Sequence, residues 1–130
     1  MNHFINKSES VIKNIDEPIH ISIIIPIYDE INRFKTPLEH HNGEDFLNVK
    51  IDQCNELFAG KNNITYNLLL VDDGCPNHTG KYIENYINNN KLTNCKVIYL
   101  EYAIKKGILN NLHSVNNSRK GGAIYYGLHY

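Results

Sequence analysis

The chain has no tryptophan, one methionine and only three cysteines in 130 residues. Cys54, Cys75 and Cys95 are odd in number and show no C-x-x-C spacing. That argues against a disulfide scaffold or a zinc knuckle and makes a reducing, cytoplasmic setting the expectation. Long apolar runs are also missing. The strongest, Ile21 to Ile27, holds Ser22 and Pro26 and is far too short to span a bilayer, so no membrane span is expected. No charged region followed by an apolar core opens the chain, so no signal peptide is read. Charge of one sign is lacking as well: the net charge is -1, which gives no global basic field and argues against nucleic acid as a partner. What is present is a globular balance, 42% hydrophobic and 21% charged, which excludes a disordered chain. The length suits one domain.

Charge is nonetheless uneven. From Tyr102 to Tyr130 the chain carries Lys105, Lys106, Arg119 and Lys120 and no acid, so this end is basic and the rest acidic. A basic segment of this kind suits contact with an anion.

Residues 1–18 are polar and aperiodic and are read as a mobile lead-in. Ile19 to Ile27 is rich in β-branched residues and reads as a first strand. Tyr66 to Val71 and Lys96 to Leu100 read as the second and third. Unbroken apolar runs predict strands buried on both faces, as in a parallel sheet. Between them, Glu44 to Ala59 repeats Leu47, Ile51, Cys54 and Phe58 at helical spacing, with Gly60 as C-terminal cap. Thr79 is placed to cap a helix whose apolar face is Tyr82, Ile83, Tyr86 and Ile87. Residues 101–117 read as a polar, irregular loop of no assigned role. Ser118 opens a last helix. Strands alternating with helices predict an α/β fold: an open parallel sheet with flanking helices and right-handed crossovers.

In such a sheet, ligands bind beyond the carboxyl ends of the strands. Three polar clusters fall there. Pro26-Ile27-Tyr28-Asp29-Glu30 follows the first strand, Asp72-Asp73-Gly74-Cys75-Pro76-Asn77 follows the second, and Arg119-Lys120-Gly121-Gly122-Ala123 starts the last helix. An aromatic ring, carboxylates and a basic helix start suit a nucleoside diphosphate. Tyr28 can lie against a base, and Asp72 or Asp73 can accept a base N–H. Arg119, Lys120 and the helix N–H groups can hold phosphate.

These blocks resemble family 2 glycosyltransferases. Ile23 to Glu30 is similar to that family's apolar strand and P-x-Y-N-E, with Asp29 in the Asn place. Leu70 to Thr79 is similar to V-D-D-G-S-x-D-x-T, with Cys75 for Ser and Asn77 for Asp. Arg119 to Leu128 is similar to K-G-x-A-x-x-x-G. The resemblance covers about residues 20–130. It implies the Rossmann-like nucleotide-binding half of a GT-A fold, and an inverting transferase that moves a sugar from a nucleotide-diphospho-sugar to an acceptor hydroxyl. Pro26, Tyr28 and Glu30 would line base and ribose, Asp72 and Asp73 would face the base, and Lys120 would approach the diphosphate. The family's metal-binding D-x-D follows the next strand. Residues 19–130 are therefore expected to be the N-terminal part of the domain, truncated before that motif. A divalent metal (Mg or Mn) is expected in the complete enzyme and none on this chain alone. The catalytic base and the acceptor remain unassigned, and self-association through an uncovered edge is a further expectation. Two alternatives stay open: a non-catalytic nucleotide-binding or interaction module of the same fold, and a nucleotidyltransferase. The latter would want a glycine-rich phosphate loop after the first strand, which is missing.

Overall fold

Leu68-Leu69-Leu70-Val71 is apolar at every position because its strand is covered on both faces. In the computed structural model, which describes residues 17–117 and 119–130 and Arg119 by its backbone only, this segment lies in the central strand of a three-stranded sheet. The strands are β1 (Ile19–Ile27), β2 (Ile64–Asp72) and β3 (Cys95–Tyr99), in the order β1-β2-β3 and parallel throughout. Successive side chains of a strand point to opposite faces. Leu68 and Leu70 therefore join one cluster, with Ile27, Val97 and the inner faces of helices α1 (Phe46–Leu57) and α2 (Thr79–Asn89). Leu69 and Val71 join the other, beneath α3 (Leu100–Lys105) and α4 (Arg119–His129), which contribute Leu100, Ala103, Ala123 and Tyr126. The result is an α/β, Rossmann-like layering with helices on both faces of an open parallel sheet. No helix among the described residues is long and apolar enough to cross a membrane.

The register decides where a site can form. Ile27 pairs with Asp72, and Asp72 with Tyr99, so all three strands end on one level. The α4 helix lies directly on β1: a Cβ on Gly127 would sit 2.6 Å from Ile24 Cγ2. Only glycine permits that approach, and it brings the first turn of α4, with Lys120, beside the strand ends.

Several local expectations change. Leu100 begins a helix rather than ending the third strand, because Leu100 and Ala103 share one buried face a helical turn apart. Residues 101–117 are thus not wholly irregular: α3 occupies their start and a 3-10 turn, Val115–Asn117, their end. The first helix starts at Phe46, after Asp45 in a left-handed conformation (φ 47°). Thr79 does not cap its helix. Its hydroxyl donates to Asn77 Oδ1 at 2.7 Å, and the cap residue is His78. Ser118 and nearly all of the expected lead-in lie outside the described residues.

Candidate functional site

Asp72 and Asp73 are adjacent, both about 95% buried, and occupy opposite chemical situations. Asp72 is fully engaged by the backbone. Its Oδ1 accepts from the N–H groups of Gly74 (2.9 Å) and Cys75 (2.8 Å), and its Oδ2 from Gly80 N–H (2.8 Å). One carboxylate therefore shapes the turn after β2 and satisfies an orphan donor in the first turn of α2, the task expected of Thr79. The fit is close: a Cβ on Gly80 would lie 2.3 Å from Asp72 Oδ2.

Asp73 is tied in through its backbone, whose N–H donates to Ile27 O at 3.0 Å. Its Oδ1 is buried and has no hydrogen-bond partner among the described residues. Burial, and secondarily the charge of Asp72, pushes this carboxyl up from 3.8 to about 6. A buried acceptor without a donor costs roughly 1–3 kcal/mol, so this carboxylate burdens the fold rather than stabilising it.

Asp73 also lines a cavity of about 460 Å³, together with Tyr28, Val115, Asn116 and Lys120. The volume is within the range of small-molecule sites. Three of the six residues named from sequence, Tyr28, Asp73 and Lys120, thus meet in one crevice at the carboxyl edge of the sheet. The other three do not line it. Pro26 remains in β1 opposite Val71. Glu30 pairs with Arg33 at 3.2 Å. Asp72 faces a neighbouring cavity with its oxygens already used.

The turns after β1 and β2 are clamped together beside the crevice. The Cys75 thiol accepts from Asp29 N–H at 3.4 Å and reaches Ile27 O at 3.5 Å. Burial raises that thiol to about 11, so it stays protonated and serves as a small hydroxyl-like link rather than a nucleophile. Asp29 is left-handed (φ 53°), a conformation in which Asn and Asp are enriched. Its Oδ1 accepts from the Asn77 amide. Two of the three departures from the pattern the sequence resembles, Asp for Asn at 29 and Asn for Asp at 77, are therefore one exchange across a single hydrogen bond. Asn77→Asp should set two carboxylates against each other and cost roughly 1 kcal/mol, and Asp29→Asn in the same chain should restore the pair. Urea unfolding of the four proteins of that cycle reads the coupling; additive losses would contradict it.

Sequence reasoning missed Val115 and Asn116, which the 3-10 turn delivers to the crevice. Val115 rests against Gly74, where a Cβ would lie 2.8 Å from Val115 Cγ2. The divalent cation expected for the complete enzyme finds no ligand set here. Among the described residues no group of three or more His, Cys, Asp and Glu side chains could hold one.

With this geometry in view, comparison with known proteins adds one likeness. The chain is similar to a dolichyl-phosphate beta-glucosyltransferase of Dictyostelium discoideum, 28% identical over 103 residues. The match covers 75% of this chain and 29% of that protein, so the chain spans less than a third of its relative's length. No family model and no solved structure matches. The likeness relates the chain coarsely to glycosyltransferases.

Proposed function

We propose that this chain carries the donor-nucleotide half-site of an inverting, family 2-like glycosyltransferase. The observation behind the reading is the convergence of Tyr28, Asp73 and Lys120, far apart in sequence, on one cavity. The Asp73 carboxylate accepts a base N–H, a charge-assisted bond worth roughly 1.5–3 kcal/mol. The half-exposed ring of Tyr28 lies against the base, and Lys120 with the first turn of α4 neutralises the diphosphate. Together these residues bind and orient the donor. The similar protein's name supplies an acceptor class for the complete protein, a dolichyl phosphate in place of an alcohol hydroxyl. No described residue is assigned to deprotonation or metal binding.

Lys120→Ala separates the phosphate contact from the base contact. It should weaken uridine diphosphate by about tenfold, roughly 1.4 kcal/mol, and leave uridine unchanged. Because Lys120 is exposed, added salt should shrink the difference. Calorimetric titration checks this; equal losses for nucleotide and nucleoside, or none for either, would contradict the assignment.

A further inference from the structure

The helices on the two faces of the sheet meet solvent differently. On α2 the residues that point away from the sheet are polar, with Lys81, Asn85 and Asn88 exposed, as a surface helix requires. On α4 they are not. Ala123, Tyr126 and Gly127 are buried against the sheet, yet Ile124, Tyr125 and Leu128 on the other side are exposed, Leu128 to 71%. With Gly121 these residues fall at i, i+3, i+4 and i+7, so the outward stripe is continuous. From Gly121 to Leu128 the helix holds no charged residue. A helix that is apolar all round is one that something covers.

A rim of tyrosine and lysine borders the stripe. Lys96 Nζ sits over the ring of Tyr130 at 4.8 Å, and Lys106 Nζ sits over the ring of Tyr102 at 5.7 Å. Both tyrosines are more than half exposed. They meet around Tyr126, whose hydroxyl is raised by burial and then by the neighbouring phenols of Tyr130 and Tyr102. From Tyr102 to Tyr130 the chain has no acid, and Glu101, just before it, is already paired with Lys105 at 2.6 Å.

The chemistry of the rim selects the occupant. A second copy of the chain would set the lysines against their like. An anionic bilayer suits every part of the surface: leucine and isoleucine enter the acyl boundary, tyrosines stay at headgroup level, and lysines reach the lipid phosphates. We propose that the outer face of α4, with its rim of Tyr102, Tyr130, Lys96 and Lys106, rests on an anionic membrane surface. The helix lies on the bilayer and does not cross it, since no described helix is long and apolar enough to span one. Nothing in this contact uses the nucleotide crevice, so either can fail without the other.

Sedimentation of the intact chain with vesicles of phosphatidylcholine, and of phosphatidylcholine mixed with phosphatidylserine, tests it. The mixed vesicles should be bound about tenfold more tightly than the neutral ones, and added salt should narrow the gap. Lys96→Gln together with Lys106→Gln should lose about tenfold on the mixed vesicles, since each lysine near an anionic surface contributes about fivefold. Leu128→Glu, a change at an exposed position, should abolish binding. Leu57→Glu, at an exposed position of α1 on the other side of the sheet, should leave it intact. Tyr125→Trp gives the chain its one tryptophan, whose emission should shift to the blue on the mixed vesicles. No binding, equal binding to both vesicles, binding that survives Leu128→Glu, or an unshifted tryptophan on bound chain would each overturn the membrane contact.

Discussion

Asp72→Ala is expected to remove a large share of the stability of the domain, even though Asp72 lies outside the crevice lined by Tyr28, Asp73 and Lys120. Three backbone N–H groups at 2.8–2.9 Å lose their acceptor at once, and those of Cys75 and Gly80 are buried. Hydrogen bonds to a charged acceptor contribute roughly 1.5–3 kcal/mol each, and the orphaned donors keep their desolvation cost, so a net loss of roughly 3–5 kcal/mol follows. Small domains hold about 5–15 kcal/mol in all. Asp72→Asn, which retains one carbonyl oxygen, should fall between wild type and Asp72→Ala. Urea or thermal unfolding of the three proteins checks the order. A loss below about 1 kcal/mol for the alanine variant would mean that the turn after β2 is held by something else.

Asp73 should act in the opposite sense. Burial and its charged neighbour lift its carboxyl to about 6 from the 3.8 of an ordinary aspartate. The folded chain then holds a proton there that the unfolded chain releases near its ordinary value. The group's stabilising contribution is complete below about pH 4 and is lost as pH rises through 6. At 1.36 kcal/mol per pKa unit, the change over that window is roughly 3 kcal/mol. Asp73→Asn has no such proton. The variant's stability relative to wild type should therefore climb between pH 4 and 6 and level off above 7. A difference that stays flat with pH would contradict both the burial of Asp73 and its lack of a partner. Uridine, which has no phosphate to titrate, should bind more weakly as pH falls below 6, because a protonated Asp73 is a poorer acceptor.

Both aspartates stand in one sequence block, and the block alone did not divide their work. Asp-Asp-Gly after an apolar strand announces a turn at the carboxyl edge of a sheet. Which carboxylate turns inward to cap α2 and which faces the crevice depends on Gly80, eight residues beyond Asp72. The strands were legible because β2 is apolar on both faces, and α1 and α2 because Leu47, Cys54, Ile83 and Ile87 fall at helical spacing on faces that are in fact buried. The short helix α3 was not legible: its six residues are too few for periodicity to separate them from a strand end. Lys120 could be placed in advance from the likeness of residues 120–127 to K-G-x-A-x-x-x-G, whose last glycine, Gly127, is what lets α4 lie on β1. Val115 could not, since nothing in a polar loop indicates which residue will settle on a glycine forty positions earlier. Pro26 and Glu30 were read toward the ligand from the resemblance, whereas strand pairing and Arg33 occupy them here.

The central claim is that the crevice binds a nucleotide through Asp73. The most direct measurement is calorimetric titration of uridine diphosphate into wild type and Asp73→Asn, at a pH well above 6 where the carboxylate is ionised. The variant keeps the shape and exchanges a charged acceptor for an amide. Its affinity should fall by tenfold or more, about 1.5–3 kcal/mol. Equal affinity in the two folded proteins would contradict the donor-site assignment, even with the sheet and its helices as described.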